Sequence, residues 1–215
     1  MRRATLLPAL LLPLLLAACG APSMYERLET ARHSLAEVNT LKDHPTPKDM
    51  QDAKGLVLLS LVQAGVGIGG EGGGGVVLRR NGTSWGSPYA VDVGAGTIGL
   101  QLGGQGKDVL ILFNDEATLK EFVEGGMHLQ ALGEGTFGAA SGNTKAPKPA
   151  TSVFTKGQGV FGGLELGGLN MGPANAVNAG SYGKADVETI LSGKVKPANA
   201  DEQLQRLLKM LDAMH

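Results

Sequence analysis

The most restrictive stretch of the chain is its glycine ladder, in which Gly65, Gly67 and Gly69 alternate with Val66 and Ile68 ahead of Gly70 and four consecutive glycines at 72–75. In an extended strand, residues two apart share a face, so three alternating glycines leave that face bare for close approach of another backbone or helix. The chain holds 34 glycines against 10 prolines, while 42% of its residues are hydrophobic. That apolar content supports a packed core and excludes a disordered low-complexity chain. No Gly-X-Y register holds, which excludes collagen. A length of 215 residues fits one compact domain. Thirty-two of the glycines fall between Gly55 and Gly183, so the excess belongs to one region.

Around the ladder the pattern is that of strands. Lys54 and Gly55 lead into a continuous apolar run at 56–62, which reads as a buried strand, although a buried helical turn has the same periodicity. The glycines at 72–75 read as a flexible connection. Residues 76–80 and the segment from Thr83 flank Asn81 and Gly82, a pair suited to a type I′ hairpin turn. Tyr89, Val91 and Val93 alternate with polar or small residues, as do Ile98, Leu100 and Leu102, and 109–113 is a further buried-strand candidate. Asn114 is placed to cap a helix with Asp115 and Glu116 in its first turn, Leu119, Phe122 and Val123 on its inner face, and Gly125 and Gly126 at its end. Short apolar stretches at 129–140 lead to a polar loop at 141–152, and a second glycine-rich strand region spans 157–168.

Helices flank this region. Tyr25, Leu28, Leu35 and Val38 recur at helical spacing over 24–39, with Glu26, Arg27, Glu29, Arg32 and Glu37 at the polar positions, and 44–47 break the pattern. A short helical turn follows at 185–191. Leu204, Leu207, Leu208 and Leu211 mark one face of a closing helix that Asn199 is placed to cap. The expected fold is α+β: a mostly antiparallel, strongly curved glycine-rich sheet, barrel-like or sandwich-like, between N- and C-terminal helices.

Several chemistries are excluded. The formal net charge of -1, with no basic block and only 4% aromatic residues, gives no footprint for nucleic acid. Windows starting at Gly65, Gly67, Gly94 and Gly157 are among those that satisfy GxGxxG, but none of these opens a helical pattern, as a dinucleotide site requires. His33, His44, His128 and His215 show no metal-ligand spacing. Ser60, Ser84 and Ser87 lack a nucleophile-elbow context. No catalytic residue, metal or cofactor is therefore expected. Trp85, the sole tryptophan, reads as a core aromatic rather than an interfacial anchor.

The N-terminus carries its own signal. Arg2 and Arg3 precede a largely apolar run of 15 residues, 4–18, broken by Pro8 and Pro13 and too short for a spanning helix of about 20. The run closes on Leu16, Ala17, Ala18 and the single cysteine, Cys19, followed by Gly20, and this resembles the lipobox of bacterial lipoproteins. The resemblance implies cleavage before Cys19, diacylglyceryl and acyl chains such as palmitate on that residue, and a stable hold on the bilayer. Gly20 in place of aspartate favours the outer membrane, facing the periplasm. Only 20–23 separate the anchor from the first helix, under about 20 Å of chain.

Lys54 and Gly55 before an apolar strand, then the segment 64–70, then Trp85, Ser87 and Pro88, resemble the SYLF lipid-binding domain family. The likeness continues through 108–116, Lys156 and Gly157, 161–163, and Asn178, Tyr182, Gly183, Ile190, Leu191 and Gly193. It implies a non-enzymatic module that binds phospholipid, especially phosphoinositide or other anionic headgroups. Lys48, Lys54, Arg79 and Arg80 are the candidate headgroup residues. This chain departs from the family pattern in having Gln63 before the glycine ladder and Asp49 and Asp52 beside Lys48 and Lys54, each loss of net basic charge weakening attraction to an anionic surface. The expected organisation is a signal peptide at 1–18, a lipidated tether at 19–23, a helix at 24–40, the SYLF-like domain at 41–194 and an amphipathic helix at 195–215. The expected partners are membrane lipid through acylated Cys19 and a bound phospholipid. The alternative is an envelope lipoprotein that binds a protein partner, whose identity the sequence leaves open.

Overall fold

The computed structural model describes residues 22–125, 127–128, 150–158 and 170–214. Residues 1–21, with Cys19 and the first part of its tether, most of the 141–152 loop, the apolar stretches at 129–140 and the glycine-rich segment 159–168 lie outside the described residues.

One hairpin dominates. Strand β1 (Gly55–Asn81) and strand β3 (Tyr89–Phe113) pair antiparallel from Gly55 opposite Phe113 to Val77 opposite Tyr89, with a bulge between Val66 and Ile68. The segments expected as separate strands are thus two continuous ones, and the glycines at 72–75 are not a flexible connection but part of β1, paired with 91–94. A straight strand of 27 residues would reach about 90 Å. A globule of this length has a radius of gyration of only about 17 Å, so β1 has to bend.

It bends at the glycines. The carbonyl oxygens of Ser60 and Leu58 occupy the positions that a Cβ on Gly73 or Gly75 would need. The two halves of β1 thus run back past each other in antiparallel sense. The Arg80 N–H closes the loop by donating to the Lys54 carbonyl at 2.8 Å. Only glycine permits this approach, because any side chain on that face would meet backbone rather than a movable side chain.

The described sheet has six strands in the order β2-β1-β3-β6-β4, with β5 also on β3. β2 (Ser84–Trp85) pairs with Arg80 and Asn81, so the hairpin turn consists of Gly82 and Thr83 and not Asn81 and Gly82. Gly82 alone takes positive φ, at 65°, as the first position of a II′ turn requires. β3 holds β5 (Thr151–Gln158) along 106–113 and β6 (Asn170–Pro173) along 91–94, and β4 (Met127–His128) extends β6. The expected α+β, antiparallel, curved sheet is what forms, and it remains unclosed.

Helix α1 (Met24–Val38) begins with a capping box between Ser23 and Glu26, and the two Ser23 hydrogen bonds hold the Glu26 carboxyl below its usual pKa. Its buried face is Met24, Arg27, Leu28, Ala31, Ser34, Leu35 and Val38. Tyr25, expected on that face, is instead 46% exposed, and Arg27, expected in solvent, is buried. Thr46 caps a short helix α2 (Pro47–Asp52) where the sequence reading had only a break. Helix α3 (Glu116–Gly125) is capped by Asp115, whose carboxylate accepts from Thr118 N–H at 2.7 Å, and not by Asn114. Helices α4 (Asn175–Tyr182), α5 (Val187–Leu191) and α6 (Asp201–Asp212) follow. Ala200 stands at the α6 N-cap, while Asn199 takes φ 57°.

Alternate residues of β1 feed two cores, which explains the apolar run from Leu56 to Leu61, broken only at Ser60, while Val62 is exposed. Leu56, Leu58, Leu110 and Leu112 join Leu28, Leu35, Leu204, Leu207 and Leu211 under α1 and α6. Val57, Leu59, Leu61, Ile111 and Phe113 join Leu119 and Phe122 of α3. Polar groups are also buried here in pairs. Ser34 donates to Asp108 at 2.6 Å, and Lys107 pairs with Glu71 at 3.1 Å with both side chains at most 3% exposed, whereas buried Arg27 reaches out to an exposed Asp92. Lys107 stands in register opposite Leu61, and Glu71 opposite Ala95, so this last pair meets only because β1 doubles back.

Two sets of variants test this account. Gly73→Ala and Gly75→Ala should each destabilise the domain by about 3 kcal/mol, the upper range for overpacking. Gly94→Ala and Gly172→Ala, whose would-be Cβ meets nothing within 4 Å, should change stability by less than about 0.5 kcal/mol in the same denaturant titrations. Lys107→Met or Glu71→Gln alone should cost about 3–5 kcal/mol by stranding a buried charge, and the double variant less than the sum of the two.

Candidate headgroup-binding cleft

The doubled strand brings chain ends together. Arg80 N–H meets the Lys54 carbonyl, and Lys54 N–H donates to the Phe113 carbonyl at 2.7 Å, so the end of β1 lies beside the point where β3 passes into α3. An open cleft of about 570 Å³ forms there, lined by Arg79, Arg80, Asn81 and Gly82 from β1 and its turn, Glu116, Leu119, Lys120, Val123 and Glu124 from α3, and Glu188 and Leu191 from α5. Three cations and three carboxylates thus share one opening. α5 is pinned at its start by Asp186, whose carboxylate accepts from Thr189 N–H and is held below its usual pKa by that bond.

Of the four candidate headgroup residues, Arg79 and Arg80 line this cleft and Lys48 and Lys54 do not. The Arg79 guanidinium donates to Glu188 at 2.6 Å and to Asn81 at 3.3 Å. Arg80 donates to the carbonyls of Met50 at 2.7 Å and Ala53 at 3.1 Å and lies over the Trp85 ring at 4.0 Å. Partial burial lowers its pKa, against the raising effect of the Asp212 charge. Lys48 forms an exposed ion pair with Asp52 at 3.1 Å. The Lys54 side chain is exposed, and only its backbone enters the described contacts. Lys120, which the sequence reading passed over, is the third cation of the cleft and sits 3.7 Å from Glu124. Its position one turn beyond Glu116 on an amphipathic helix was the signal that could have found it.

The residues that carry the family resemblance have mostly structural work. The Asn178 side chain makes two 2.8 Å hydrogen bonds to the backbone of Ala90, acting as an added strand residue. The Tyr182 hydroxyl donates to the Pro88 carbonyl at 2.6 Å, and burial raises its pKa. Ser87 donates to the Val195 carbonyl at 2.5 Å, and Trp85 is buried, as expected. Asn114 donates to Ser152 at 3.1 Å. The Asn178, Tyr182 and Ser87 contacts fasten the start of β3 to α4 and the segment after α5, and the Asn114 contact fastens its end to β5.

Among the described residues no group of His, Cys, Asp and Glu could hold a metal ion, and no helix is long and apolar enough to cross a membrane. A partly open, mostly apolar hollow lined by Val77, Tyr89, Val91, Phe122 and Met171 measures only about 10 Å³, room for one water and not for an acyl chain.

A family model described as Ysc84, Las17-binding protein actin regulator, matches residues 94–214, more than half of the chain. The chain belongs to this Ysc84/SYLF family. It is 31% identical over 180 residues to SH3 domain-containing YSC84-like protein 1 of Xenopus laevis, covering 78% of this chain and 52% of that one. It is 29% identical over 175 residues to Protein YSC84 of Saccharomyces cerevisiae, covering 76% and 37%. LAS seventeen-binding protein 3 of the same yeast is 28% identical over 180 residues, covering 78% and 39%. The chain therefore spans about half the length, or less, of these curated relatives. The Xenopus protein is named for an SH3 domain, and the last of the three relatives for binding LAS seventeen. No solved structure matches the chain.

The sole tryptophan makes the cleft observable. Arg80→Ala should cost about 2 kcal/mol by removing the stacked cation and its two carbonyl contacts, and it should shift Trp85 fluorescence to longer wavelength as water reaches the ring. Lys48→Ala, at an exposed ion pair, should leave both stability and emission unchanged.

Proposed function

We propose that the chain is a membrane-anchored, non-enzymatic module that binds phospholipid headgroups. In this reading acylated Cys19 holds it on the outer membrane facing the periplasm, and the cleft between the end of β1 and α3 takes the headgroup. The observation that carries the reading is the gathering of Arg79, Arg80 and Lys120 around one open cleft. Guanidinium groups suit phosphate oxygens because their fixed fork offers paired N–H donors. A second reading, an envelope lipoprotein that binds a protein partner, draws support from the family description as Las17-binding proteins and actin regulators.

The chain from Gly20 onward contains every described element and both cores, so it serves as the soluble test protein. It should sediment with phospholipid vesicles, and Arg79→Ala with Lys120→Ala should reduce that binding several-fold without loss of folding. Equal, negligible sedimentation of parent and variant would sink the lipid reading, and recovery of a stoichiometric envelope protein would favour the second. In the full chain, Cys19→Ser should move the protein out of the membrane fraction and abolish the acyl mass on the mature N-terminus.

A further inference from the structure

We infer that the cleft selects a zwitterionic ligand, a phosphate and an ammonium joined by a short link, as in an ethanolamine phospholipid headgroup. This rests on the headgroup reading and deepens it, because the resemblance alone points to anionic headgroups and the charges of the cleft do not.

The lining contains Arg79, Arg80 and Lys120 against Glu116, Glu124 and Glu188, a balance of three and three. Two of these cations already hold carboxylates, Arg79 with Glu188 at 2.6 Å and Lys120 with Glu124 at 3.7 Å. A purely anionic ligand entering here has to displace a carboxylate from its cation and then leave that carboxylate beside added negative charge. A ligand bearing both signs avoids this cost. Its phosphate takes the guanidinium of Arg79, and its ammonium takes the carboxylate so released, so one internal ion pair is exchanged for two pairs with the ligand. Glu116, exposed at the start of α3 and without a described ion-pair partner, is a second acceptor for the ammonium. The fixed pairing of Arg80 to the Met50 and Ala53 carbonyls and to Trp85 keeps one positive charge in the wall whatever binds. The same logic applies outside the cleft, where Lys48 is neutralised by Asp52.

The test compares vesicles of phosphatidylcholine alone, with phosphatidylethanolamine and with phosphatidylglycerol, alongside free phosphoethanolamine and inorganic phosphate, using Trp85 fluorescence and co-sedimentation. Binding should be strongest with phosphatidylethanolamine, and free phosphoethanolamine should bind where phosphate alone does not. Glu116→Gln and Glu188→Gln, both exposed, should each weaken phosphoethanolamine binding roughly two- to fivefold, the range for an exposed ion pair, and should strengthen binding to phosphatidylglycerol. Preference for phosphatidylglycerol, with phosphatidylethanolamine binding unchanged in both variants, would overturn the inference and leave the headgroup reading standing. Binding of free phosphoethanolamine without any vesicle binding would support the zwitterion and overturn the membrane source of the ligand. Absence of binding to every probe would overturn both.

Discussion

Everything described in this molecule hangs on the contact between the carbonyls of Leu58 and Ser60 and the bare face of Gly75 and Gly73. That contact turns a hairpin too long for its own globule into a doubled sheet. It brings Lys107 to Glu71 across positions that are not paired in register, and it sets the start of β1, the end of β1 and the end of β3 side by side. Two cores then form on the two faces of the sheet, each receiving alternate residues of the same strand. The cleft is a consequence, since Arg79 and Arg80 reach α3 only when β1 has come back on itself.

The disposition of charge follows the same geometry. Two buried polar pairs are matched within the protein, Ser34 to Asp108 and Lys107 to Glu71, because a stranded charge there would cost about 3–5 kcal/mol. The cations of the cleft are matched as well, but at the surface, where exchange for a ligand's charges costs little. Family membership therefore leaves a division of labour. Asn178, Tyr182 and Ser87 hold the fold by hydrogen bonds to main-chain carbonyls and amides, whereas the groups available to a ligand stand on β1, α3 and α5.

Much of the fold was legible in the chain. The periodicity of α1 and α6, the strand pattern of β1 and β3, and the buried Trp85 all follow from local alternation of apolar and polar residues. Local pattern failed where a distant group decided the outcome. The glycines at 72–75 look like a linker until Leu58 and Ser60 are seen against them. Arg27 looks solvated until Asp92 meets it, and Asn114 looks like a cap until its side chain is found on Ser152. Of the four candidate headgroup residues, charge type alone could not separate Arg79 and Arg80 from Lys48 and Lys54, and Lys120 carried no motif at all.

By itself the sequence determined the family, the α+β class, the antiparallel pairing and the expectation of an acylated Cys19, because each of these is written in residue types at short range. Only the tertiary structure decided which glycines are indispensable, which charges are buried in pairs and which three cations share a cleft with three carboxylates. Those properties depend on where residues dozens of positions apart come to lie once β1 has folded across itself, and no local pattern encodes that distance.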